Sequence, residues 1–433
     1  MPLIWPGLDS LGAAYIIIHL MLCAAHAATI DVGPQAEFNR IQDAIDAASP
    51  GDTINVANAT YYENVNITKS LILKGRDHPV VDASGRRSAI VLSADKISLE
   101  GFRAVNSQDS GIKVISCCNI LRDNIASDNS IGIDMVNSSH NMLRDNSFFD
   151  NKASFQAMFF KDVDSYNDID TSNLAEGKPI YYIMNASDKV IDSTTNAALG
   201  YCLNCNNITV RGLHLERNTM SVLFYKTADS LIEDNLIEEC KGGIFLQNSK
   251  NNTIRNNSIS HIDRAGIFVS SSRDNILEEN SISGNYYGIF LLSSINNHVR
   301  RNILIDSNEG IRIFQNSNGN EIMRNILDEN RCGIYVQGSG GNEIYLNDFR
   351  NNKRSVSSLA SSNAWNSTST IIYNYSGNIS ADYLGNFWSD RSTENGQNIG
   401  IWDKPYSVGS DWDWHPLTYP FENYGNDHGN MSG

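Results

Sequence analysis

Basic side chains are scarce in this sequence. Its 433 residues contain 33 Lys and Arg against 49 Asp and Glu, so the formal net charge is −16 and the isoelectric point is near 4.9. A chain with this excess of carboxylates is poorly suited to bind nucleic acid or an anionic membrane surface. The same balance disfavours a polyanionic polysaccharide as ligand, although a local basic groove would escape that argument.

Long apolar runs are also nearly absent. The stretch from Ala13 to Ala25, followed by the small residues Ala27 and Ala28, resembles the apolar region and cleavage site of a signal peptide, although no Lys or Arg precedes it. No other stretch is long and apolar enough to span a membrane. We therefore expect residues 1–27 to be a signal peptide. The protein would then be extracytoplasmic (secreted, cell-surface or periplasmic), without a permanent membrane span.

Clusters of metal-ligand residues are missing as well. The histidines are scattered along the chain, and the Cys202-x-x-Cys205 pair has no second pair of similar spacing. We interpret these cysteines as small turn residues or as a local disulfide rather than as a metal site. No cofactor is predicted, because neither copper nor calcium is supported by ligand spacing.

An asparagine that returns every 22 or 23 residues is the strongest positive signal. A Gly-Ile pair lies about 14 residues before most of these asparagines, and a Ser or Thr lies 8 residues before each. A short fixed period shared by several residue types is typical of a stacked repeat architecture. The repeating asparagines are Asn124, Asn146, Asn235, Asn257, Asn280, Asn302, Asn325 and Asn347.

Apolar residues alternate with polar ones inside each repeat, as in Gly243-Ile-Phe-Leu and Gly266-Ile-Phe-Val. Alternation over short runs bounded by Asn, Gly and Ser predicts strands and turns, not helices. We therefore predict an all-β fold, a right-handed single-stranded parallel β-helix of about a dozen coils. The asparagines would form a buried structural row at a turn, in a backbone conformation that Asn and Gly tolerate.

The ends of the β-helix differ from its repeats. Apolar residues from Phe38 to Ala48 recur at helical spacing and predict a short helix that covers the first coil. We place the β-helix at residues 28–352, with an elaborated insert at 152–206 after which Gly212 holds the asparagine position. Five of the six Trp residues lie at or after Trp365, which predicts a C-terminal cap at 353–421 and a flexible tail at 422–433.

Three segments outside the repeats resemble NosD-like proteins, which have parallel β-helix repeats and a CASH-type domain within the pectin-lyase-like superfamily. These are Ile41 to Ile54 at the N-terminus, the insert motifs Ile169 to Asn173 and Gly177 to Tyr182, and the tail motif Tyr383 to Asp390 with Lys404 to Tyr406 and His415 to Leu417. The resemblance is to secreted archaeal members in particular. It implies the fold, and it implies either a surface role or a periplasmic copper-handling role in nitrous oxide reductase maturation.

Two outward-facing rows follow from the phase of the repeat. Glu233, Arg255, Glu278 and Arg300 alternate in sign and predict an ion row that supports strand register. The second row consists of Phe245, Phe268, Phe290, Arg312 and Tyr335, and it continues back to Asp134. Exposed aromatics beside an arginine would suit stacking on sugar rings. Alternatively, the insert or the Trp-rich cap covers them.

These patterns predict a non-catalytic protein that binds carbohydrate or cell-surface components through the second row. A polysaccharide lyase or hydrolase is the alternative, and a copper-handling accessory is the next. Enzymatic chemistry requires paired carboxylates or a base beside a sugar site. Only Asp168 and Asp170, close to Lys178 in sequence, meet that requirement even weakly, so we assign no catalytic residue.

Overall fold

The computed structural model describes residues 27–158, 166–391 and 399–425. The predicted signal peptide lies outside these residues except for Ala27. The described chain is a parallel β-helix, as predicted, in which each coil adds one strand to each of three sheets. The longest sheet has 15 strands, so the rod has more coils than the dozen expected.

The N-terminal half of the rod runs to about residue 175. Its first sheet comprises Thr29–Val32, Thr53–Val56, Ile72–Gly75, Ser98–Glu100, Ile120–Arg122, Met142–Arg144 and Asp168–Ile169. Its second sheet comprises Thr60–Tyr61, Val80–Arg86, Arg103–Ser107, Ile125–Ser127, Ser147–Phe149 and Leu174–Ala175. Its third sheet comprises Val65–Ile67, Ile90–Leu92, Ser110–Val114, Ile131–Val136 and Ala153–Met158.

The C-terminal half repeats the same order of strands. Its first sheet comprises Ser187–Ile191, Asn206–Arg211, Leu231–Glu233, Thr253–Arg255, Ile276–Glu278, His298–Arg300, Glu321–Met323 and Glu343–Tyr345. Its second comprises His214–Glu216, Leu236–Glu238, Ser258–Ser260, Ser281–Ser283, Ile303–Ile305, Ile326–Asp328, Asp348–Arg350 and Phe387–Trp388. Its third comprises Lys178–Met184, Leu199–Leu203, Val222–Tyr225, Ile244–Gln247, Ala265–Ser270, Tyr287–Leu292, Glu309–Phe314, Cys332–Gln337 and Val356–Leu359.

The asparagine row is buried at the turn between the first and second sheets. Nδ2 of Asn257 donates to Oδ1 of Asn280 at 2.9 Å and to the carbonyl of Ile232 at 3.0 Å, and the contacts recur from coil to coil. The expectation that these asparagines take the left-handed conformation is wrong. The residue before each of them does so instead, as at Asn256 (φ 53°) and Glu279 (φ 57°).

Two further asparagine rows lie at the other two turns. One contains Asn252, Asn275 and Asn297 before the first sheet, and the other contains Asn285 and Asn330 before the third. The repeating Ser and Thr residues are also buried. In the C-terminal half each of the repeating serines accepts from the backbone N–H one coil earlier, as Ser272 does from Ser249 at 2.9 Å; these serines are Ser249, Ser272, Ser294, Ser317 and Ser339. All three corners of the rod are therefore held by buried polar side chains.

The two halves of the rod join through a short antiparallel hairpin. Leu174–Ala175 continues the second sheet of the N-terminal half and pairs antiparallel with Lys178–Met184, which starts the third sheet of the C-terminal half. The third sheet of the N-terminal half ends at Ala153–Met158, where the Thr219 hydroxyl donates to the Phe155 carbonyl at 2.7 Å. At the insert, the second sheet of the N-terminal half therefore continues into the third sheet of the C-terminal half, and the rod remains continuous.

The asparagine phase after this junction differs by one residue from our prediction. Leu213, not Gly212, holds the position, since its N–H donates to Oδ1 of Asn235 at 3.0 Å. Gly212 instead has a φ of +63° and corresponds to the left-handed residue that precedes each row asparagine. The period count could not separate these two neighbouring positions.

A helix at Ile41–Ala47 packs on the first coil, as the helical spacing predicted. Its N-terminal N–H groups, those of Ile41 and Gln42, donate to the Glu63 carboxylate at 2.8 and 3.1 Å. At the other end, Lys69 Nζ donates to three carbonyls of the last turn. Opposite charges at the two ends stabilise the helix dipole, so the first coil itself fixes its cap.

The C-terminal cap begins later and ends later than predicted. Val356–Leu359 still pairs with the third sheet, and Asn386 closes the asparagine row by accepting from the Asn347 N–H at 3.0 Å. The cap then consists of Ile371–Tyr375, Asn378–Asp382 and Tyr424–Gly425 in one antiparallel sheet, with Tyr406–Val408 and Asp411–Asp413 in another. A 3₁₀ turn lies in the cap at Phe421–Asn423, and a second one lies in the rod at Ser193–Thr195. The buried Tyr424 pairs with Tyr375 and extends the cap past the predicted boundary at 421; residues 426–433 lie outside the described residues.

Candidate functional site

The predicted aromatic row lies on the outer face of the third sheet. Register pairs place Phe245, Phe268, Phe290, Arg312 and Tyr335 side by side on five successive strands. All five side chains are half-buried. The rings of Phe245, Phe268 and Phe290 pack edge to face or tilted on their neighbours, with centroids 5.4 and 5.1 Å apart. The structure therefore brings these five residues together. The predicted continuation to Asp134 is wrong, because Asp134 lies on Ile131–Val136 in the third sheet of the N-terminal half, which ends at Ala153–Met158.

Arg312 is held inside this row by its neighbours. Its guanidinium lies 4.7 to 5.4 Å from the rings of Tyr287, Phe290, Phe314 and Tyr335. Nη1 also donates to the Glu309 carboxylate at 3.1 Å. Cation–π contacts and a partly buried ion pair reinforce one another where water is excluded. Arg312 thus rigidifies the row, and its charge is already compensated.

A cleft of about 510 Å³ opens beside the C-terminal end of the aromatic row. We call it the terminal cleft. Tyr286 and Tyr335 line it together with three basic side chains and the Glu309 carboxylate; the basic residues are Arg331, Lys353 and Arg354. Burial raises the pKa of Glu309, against the opposing effect of Arg312. Tyr286 is 52% exposed and stacks edge to face on Tyr287.

The sequence reasoning missed most of this cleft. Tyr286, Arg331, Lys353 and Arg354 lie in turns before the third-sheet strands, outside the outward strand positions that we followed. Their phase was nevertheless readable, because Tyr286, Arg331 and Lys353 each follow directly after an asparagine of the third buried row, at Asn285, Asn330 and Asn352.

The charged row on the first sheet is confirmed as an ion row. Arg255 pairs with Glu233 at 2.7 Å, and Arg300 pairs with Glu278 at 2.8 Å. These are neighbours on adjacent parallel strands. Partly exposed pairs of this kind contribute to register by a few tenths of a kcal/mol each. The row is therefore part of the scaffold.

The weakly favoured enzymatic residues of the insert do not form a site with Lys178. Asp168 and Asp170 both pair with Arg144, the latter at 3.0 Å, whereas Lys178 Nζ donates to the His214 carbonyl at 3.4 Å. Arg144 lies on the strand before Asp168 in the first sheet, so both carboxylates are held by a cross-strand ion pair.

A second cluster lies on the third sheet of the N-terminal half. Lys113 Nζ lies 3.2 Å from Asp109 and 3.6 Å from Asp134, and Gln156 Nε2 donates to Asp134 at 2.7 Å. Asp134 is 4% exposed, and burial raises its pKa. The pKa of Asp109 is lowered: burial opposes this, but the hydroxyl of Ser88 and the ammonium of Lys113 outweigh it. The pKa values of the two carboxyl groups are thus shifted in opposite directions.

The family of the chain follows from a family-model match. The model described as periplasmic copper-binding protein (NosD) matches residues 45–181 and 163–393, which together span most of the chain. The chain belongs to the NosD family. The predicted resemblance to NosD-like proteins is thereby confirmed, and the match includes the insert motifs and the tail motif from Tyr383 to Asp390. Within that tail motif, Asn386 is the last member of the asparagine row.

The family description names copper, which directs attention to the metal donors of this NosD-family chain. Within residues 27–158, 166–391 and 399–425, no three His, Cys, Asp or Glu side chains converge so as to hold a metal ion. The six cysteines from Cys117 to Cys332 are all free. Cys202 and Cys205 are buried and unbridged, which agrees with small packed residues and not with the local disulfide.

One curated relative is a cell surface glycoprotein of Methanothermus fervidus, with 30% identity over 97 residues. The match covers 22% of this NosD-family chain and only 16% of the relative. No helix among the described residues has the length and apolarity needed to cross a membrane.

Solved structures of other proteins are similar at low identity. The A-module of the Azotobacter vinelandii mannuronan C-5 epimerase AlgE6 has 13% identity, with 75% of this chain and 93% of that chain covered and a TM-score of 0.32. The GH136 lacto-N-biosidase of Eubacterium ramulus has 13% identity, with 82% and 70% covered and a TM-score of 0.31. Similarity at this level carries no inference about substrate.

Proposed function

We propose that this NosD-family protein is an extracytoplasmic, non-catalytic carbohydrate-binding protein whose ligand lies along the outer face of the third sheet. The observation that carries the proposal is the row of aromatic rings, joined through Arg312, that ends at the terminal cleft. Rings presented at strand spacing, roughly 4.8 Å apart, offer a continuous apolar track beside hydrogen-bonding groups. Sugar rings have apolar faces and polar rims, which match such a track.

The most accessible ring of the track is Tyr286, which is 52% exposed. Tyr335 lies across the cleft, and its hydroxyl donates to Oε1 of Gln337 at 2.6 Å. These two side chains can contact a sugar without disrupting the row, whereas the phenylalanines pack mainly on one another. Tyr286 and Tyr335 are therefore the primary contacts, with Phe245, Phe268 and Phe290 as the floor.

An extracytoplasmic location is supported by two observations. The apolar stretch from Ala13 to Ala25 resembles a signal peptide. In addition, the curated relative that matches part of the chain is a cell surface glycoprotein. The test is to express the full chain and determine the N-terminal residue of the exported product, which should lie near Ala28.

The binding proposal is tested with a panel of soluble polysaccharides measured by calorimetry. Tyr286→Ala and Tyr335→Ala should each weaken binding about five- to a hundredfold, because aromatic contacts dominate such sites. Tyr62→Ala removes a tyrosine that is 73% exposed near the other end of the rod and serves as the control. Unchanged affinity in both site variants, with folding intact, would contradict the proposed location.

Polysaccharide hydrolysis is a second candidate function, favoured by the cluster of Asp109, Lys113 and Asp134. Two carboxyl groups with pKa values shifted apart are the arrangement used for a general acid and a general base. Here Asp109 lies at the edge of a cleft of about 630 Å³ that Arg86 and Arg87 also line. The buried Asp134, whose pKa burial raises, lies on the other side of Lys113.

This second candidate makes a different prediction for the same polysaccharide panel. Release of reducing ends that is abolished in Asp134→Asn and retained in the exposed control Asp77→Asn would establish hydrolysis. Polysaccharide that binds and remains intact would support the non-catalytic function.

A further inference from the structure

The terminal cleft concentrates positive charge in a strongly acidic protein. The chain carries a net charge of −16, yet Arg331, Lys353 and Arg354 line one cleft. They lie on two successive coils, because the Lys353 N–H donates to the Asn330 carbonyl and the Arg354 N–H to the Arg331 carbonyl. Successive coils are roughly 4.8 Å apart, so the three cations are close neighbours.

The fold makes little use of these three charges. Nη1 of Arg331 donates to the amide oxygen of Asn308 at 3.1 Å, and none of the three forms an ion pair with a residue that the structure describes. Glu309, the carboxylate of the cleft, is bound to Arg312. All three basic side chains are exposed. Like charges this close repel one another, and an anion in the cleft would relieve that repulsion.

We propose that the terminal cleft binds an acidic sugar residue, with Arg331 and Arg354 contacting its carboxylate or sulfate group and Tyr286 or Tyr335 stacking on its ring. This inference rests on the proposed carbohydrate-binding function and specifies the ligand class as an anionic glycan. Guanidinium groups present paired N–H donors that match the oxygens of a carboxylate or sulfate. Lys353 adds a point charge at the rim.

The overall acidity of the protein does not oppose this assignment. Exposed charges farther away than about 10 Å are largely screened at 0.1 M salt, whereas the three cations of the cleft act at contact distance. The expectation that the net charge disfavours polyanions holds for the surface as a whole and fails locally at this cleft. A long polyanion would be repelled elsewhere, which favours recognition of one or a few acidic residues.

The test compares pairs of polymers that differ only in charge. Polygalacturonate is compared with its methyl-esterified form, and dextran sulfate with dextran, each by calorimetry at 50 and 500 mM salt. We expect at least one anionic polymer to bind at least about tenfold more tightly than its neutral partner, since charge-assisted hydrogen bonds are lost with the charge. The high salt concentration should weaken that binding.

A matched pair of double variants locates the site. Arg331→Gln with Arg354→Gln removes two charges from the cleft, and Lys250→Gln with Arg301→Gln removes two exposed charges elsewhere on the rod. The cleft variant should lose about tenfold or more in affinity for the anionic polymer, and the control should lose none. Equal losses in both variants would show non-specific attraction and overturn the assignment.

The remaining outcomes distinguish this inference from the function on which it rests. Equal binding of anionic and neutral polymers overturns the acidic-sugar assignment and leaves the carbohydrate-binding function standing. Binding of neither kind contradicts both. Preference for polygalacturonate identifies a carboxylate as the group recognised, and preference for dextran sulfate identifies a sulfate; either result supports the inference.

Discussion

A buried asparagine inside this rod has four hydrogen bonds to make, and the neighbouring coils supply them all. Nδ2 of Asn280 donates to the Ile254 carbonyl at 3.0 Å and to Oδ1 of Asn302 at 2.9 Å. Its Oδ1 accepts from both N–H groups of Asn257, the backbone at 3.1 Å and the amide at 2.9 Å. The row therefore works as a chain of amides, in which each member depends on the next.

Removing one member of that chain should be costly. Asn280→Ala leaves the Ile254 carbonyl and two donors of Asn257 without a partner in a buried environment. Each such group costs about 1–3 kcal/mol, so we expect a loss of roughly 3–5 kcal/mol in the free energy of unfolding. Chemical denaturation measures it, with the exposed Asn58→Ala as control. A loss below about 1 kcal/mol would mean that water replaces the amide.

The glycines of the Gly-Ile pairs are required by close packing between coils. A Cβ on Gly288 would lie 2.5 Å from the carbonyl oxygen of Gly310 and 2.7 Å from Leu304. The carbonyl belongs to the next strand and cannot yield without disturbing the sheet. Gly288→Ala should therefore destabilise by about 1–3 kcal/mol or more through overpacking.

Gly341 supplies the comparison for that substitution. It has a φ of +66°, and no neighbouring atom lies within 4 Å of the position that a Cβ would take. Gly341→Ala should cost only the left-handed strain, about 1–2 kcal/mol, and should leave the cooperativity of unfolding unchanged. Equal effects at the two glycines in thermal unfolding would rule out coil packing as the cause at Gly288.

Two buried carboxyl groups lie where the C-terminal cap meets the rod, Asp413 in the cap and Asp348 on the second sheet beneath it. Asp413 accepts from the Asn386 N–H and from the Trp388 indole, both at 2.8 Å. Asp348 accepts from the Phe421 N–H at 2.9 Å and pairs with Arg350. Burial raises the pKa of each to about 7, because the ionised form is poorly solvated there.

These groups give the cap a pH dependence of defined sign. Between about pH 4 and pH 7 the unfolded chain has released both protons while the folded cap retains them, so stability falls as pH rises through that window. Each group contributes on the order of 2–4 kcal/mol over the window. His415, whose pKa burial lowers, acts in the opposite direction.

Urea denaturation at intervals from pH 4.5 to pH 8 measures this dependence. The readout is the difference between the wild type and Asp413→Asn in how the free energy of unfolding changes with pH. The variant lacks the titrating group at position 413 and retains His415. We expect the free energy of unfolding of the variant to decline less steeply with pH, by a slope that corresponds to about one proton. An identical dependence of the free energy of unfolding on pH in the two proteins would contradict this prediction, because it would mean that Asp413 is ionised in the folded cap.

The repeat period predicted the strands, and helical spacing of apolar residues predicted the terminal helix, because both features depend on local patterns. Ile41, Ala44 and Ile45 recur at helical spacing and are all buried, and Phe268 and Phe290 take the outward positions that alternation indicates. The hairpin from Leu174 to Lys178 was not predictable in this way. Its antiparallel turn depends on tertiary pairing with strands from both halves of the rod.

The candidate site was predicted only in part for a similar reason. The aromatic row follows from strand phase, but the ion pair of Arg312 with Glu309 depends on rotamers and on neighbouring rings. The terminal cleft is formed by turn residues from successive coils, and its shape arises only when those coils are stacked. Net charge concealed it, since three cations contribute little to a total of −16.

At the scale of the whole molecule, the rod behaves as a stack of interchangeable coils. Each coil contacts mainly its two neighbours, so stability is approximately a sum over coils and their interfaces. Asn257 and Asn280 hold equivalent positions in successive coils, 23 residues apart. Deleting residues 257–279 would bring Asn280 into the position of Asn257, opposite Asn235, with every sheet still in phase.

We therefore expect this deletion to give a folded rod that is shorter by one coil, roughly 4.8 Å, with β-rich circular dichroism and cooperative unfolding. Deleting only 257–268 would instead shift the following coils out of phase and expose the core, so that chain should aggregate. Both deletions leave the terminal cleft from Tyr286 to Ser357 intact in sequence. Ligand binding by the full-coil deletion at wild-type affinity would confine recognition to the cleft, because that chain has lost Phe268 from the aromatic row. A loss of affinity in the full-coil deletion would show instead that the ligand spans the row. The binding track would then extend beyond Tyr286 to the coil that carries Phe268.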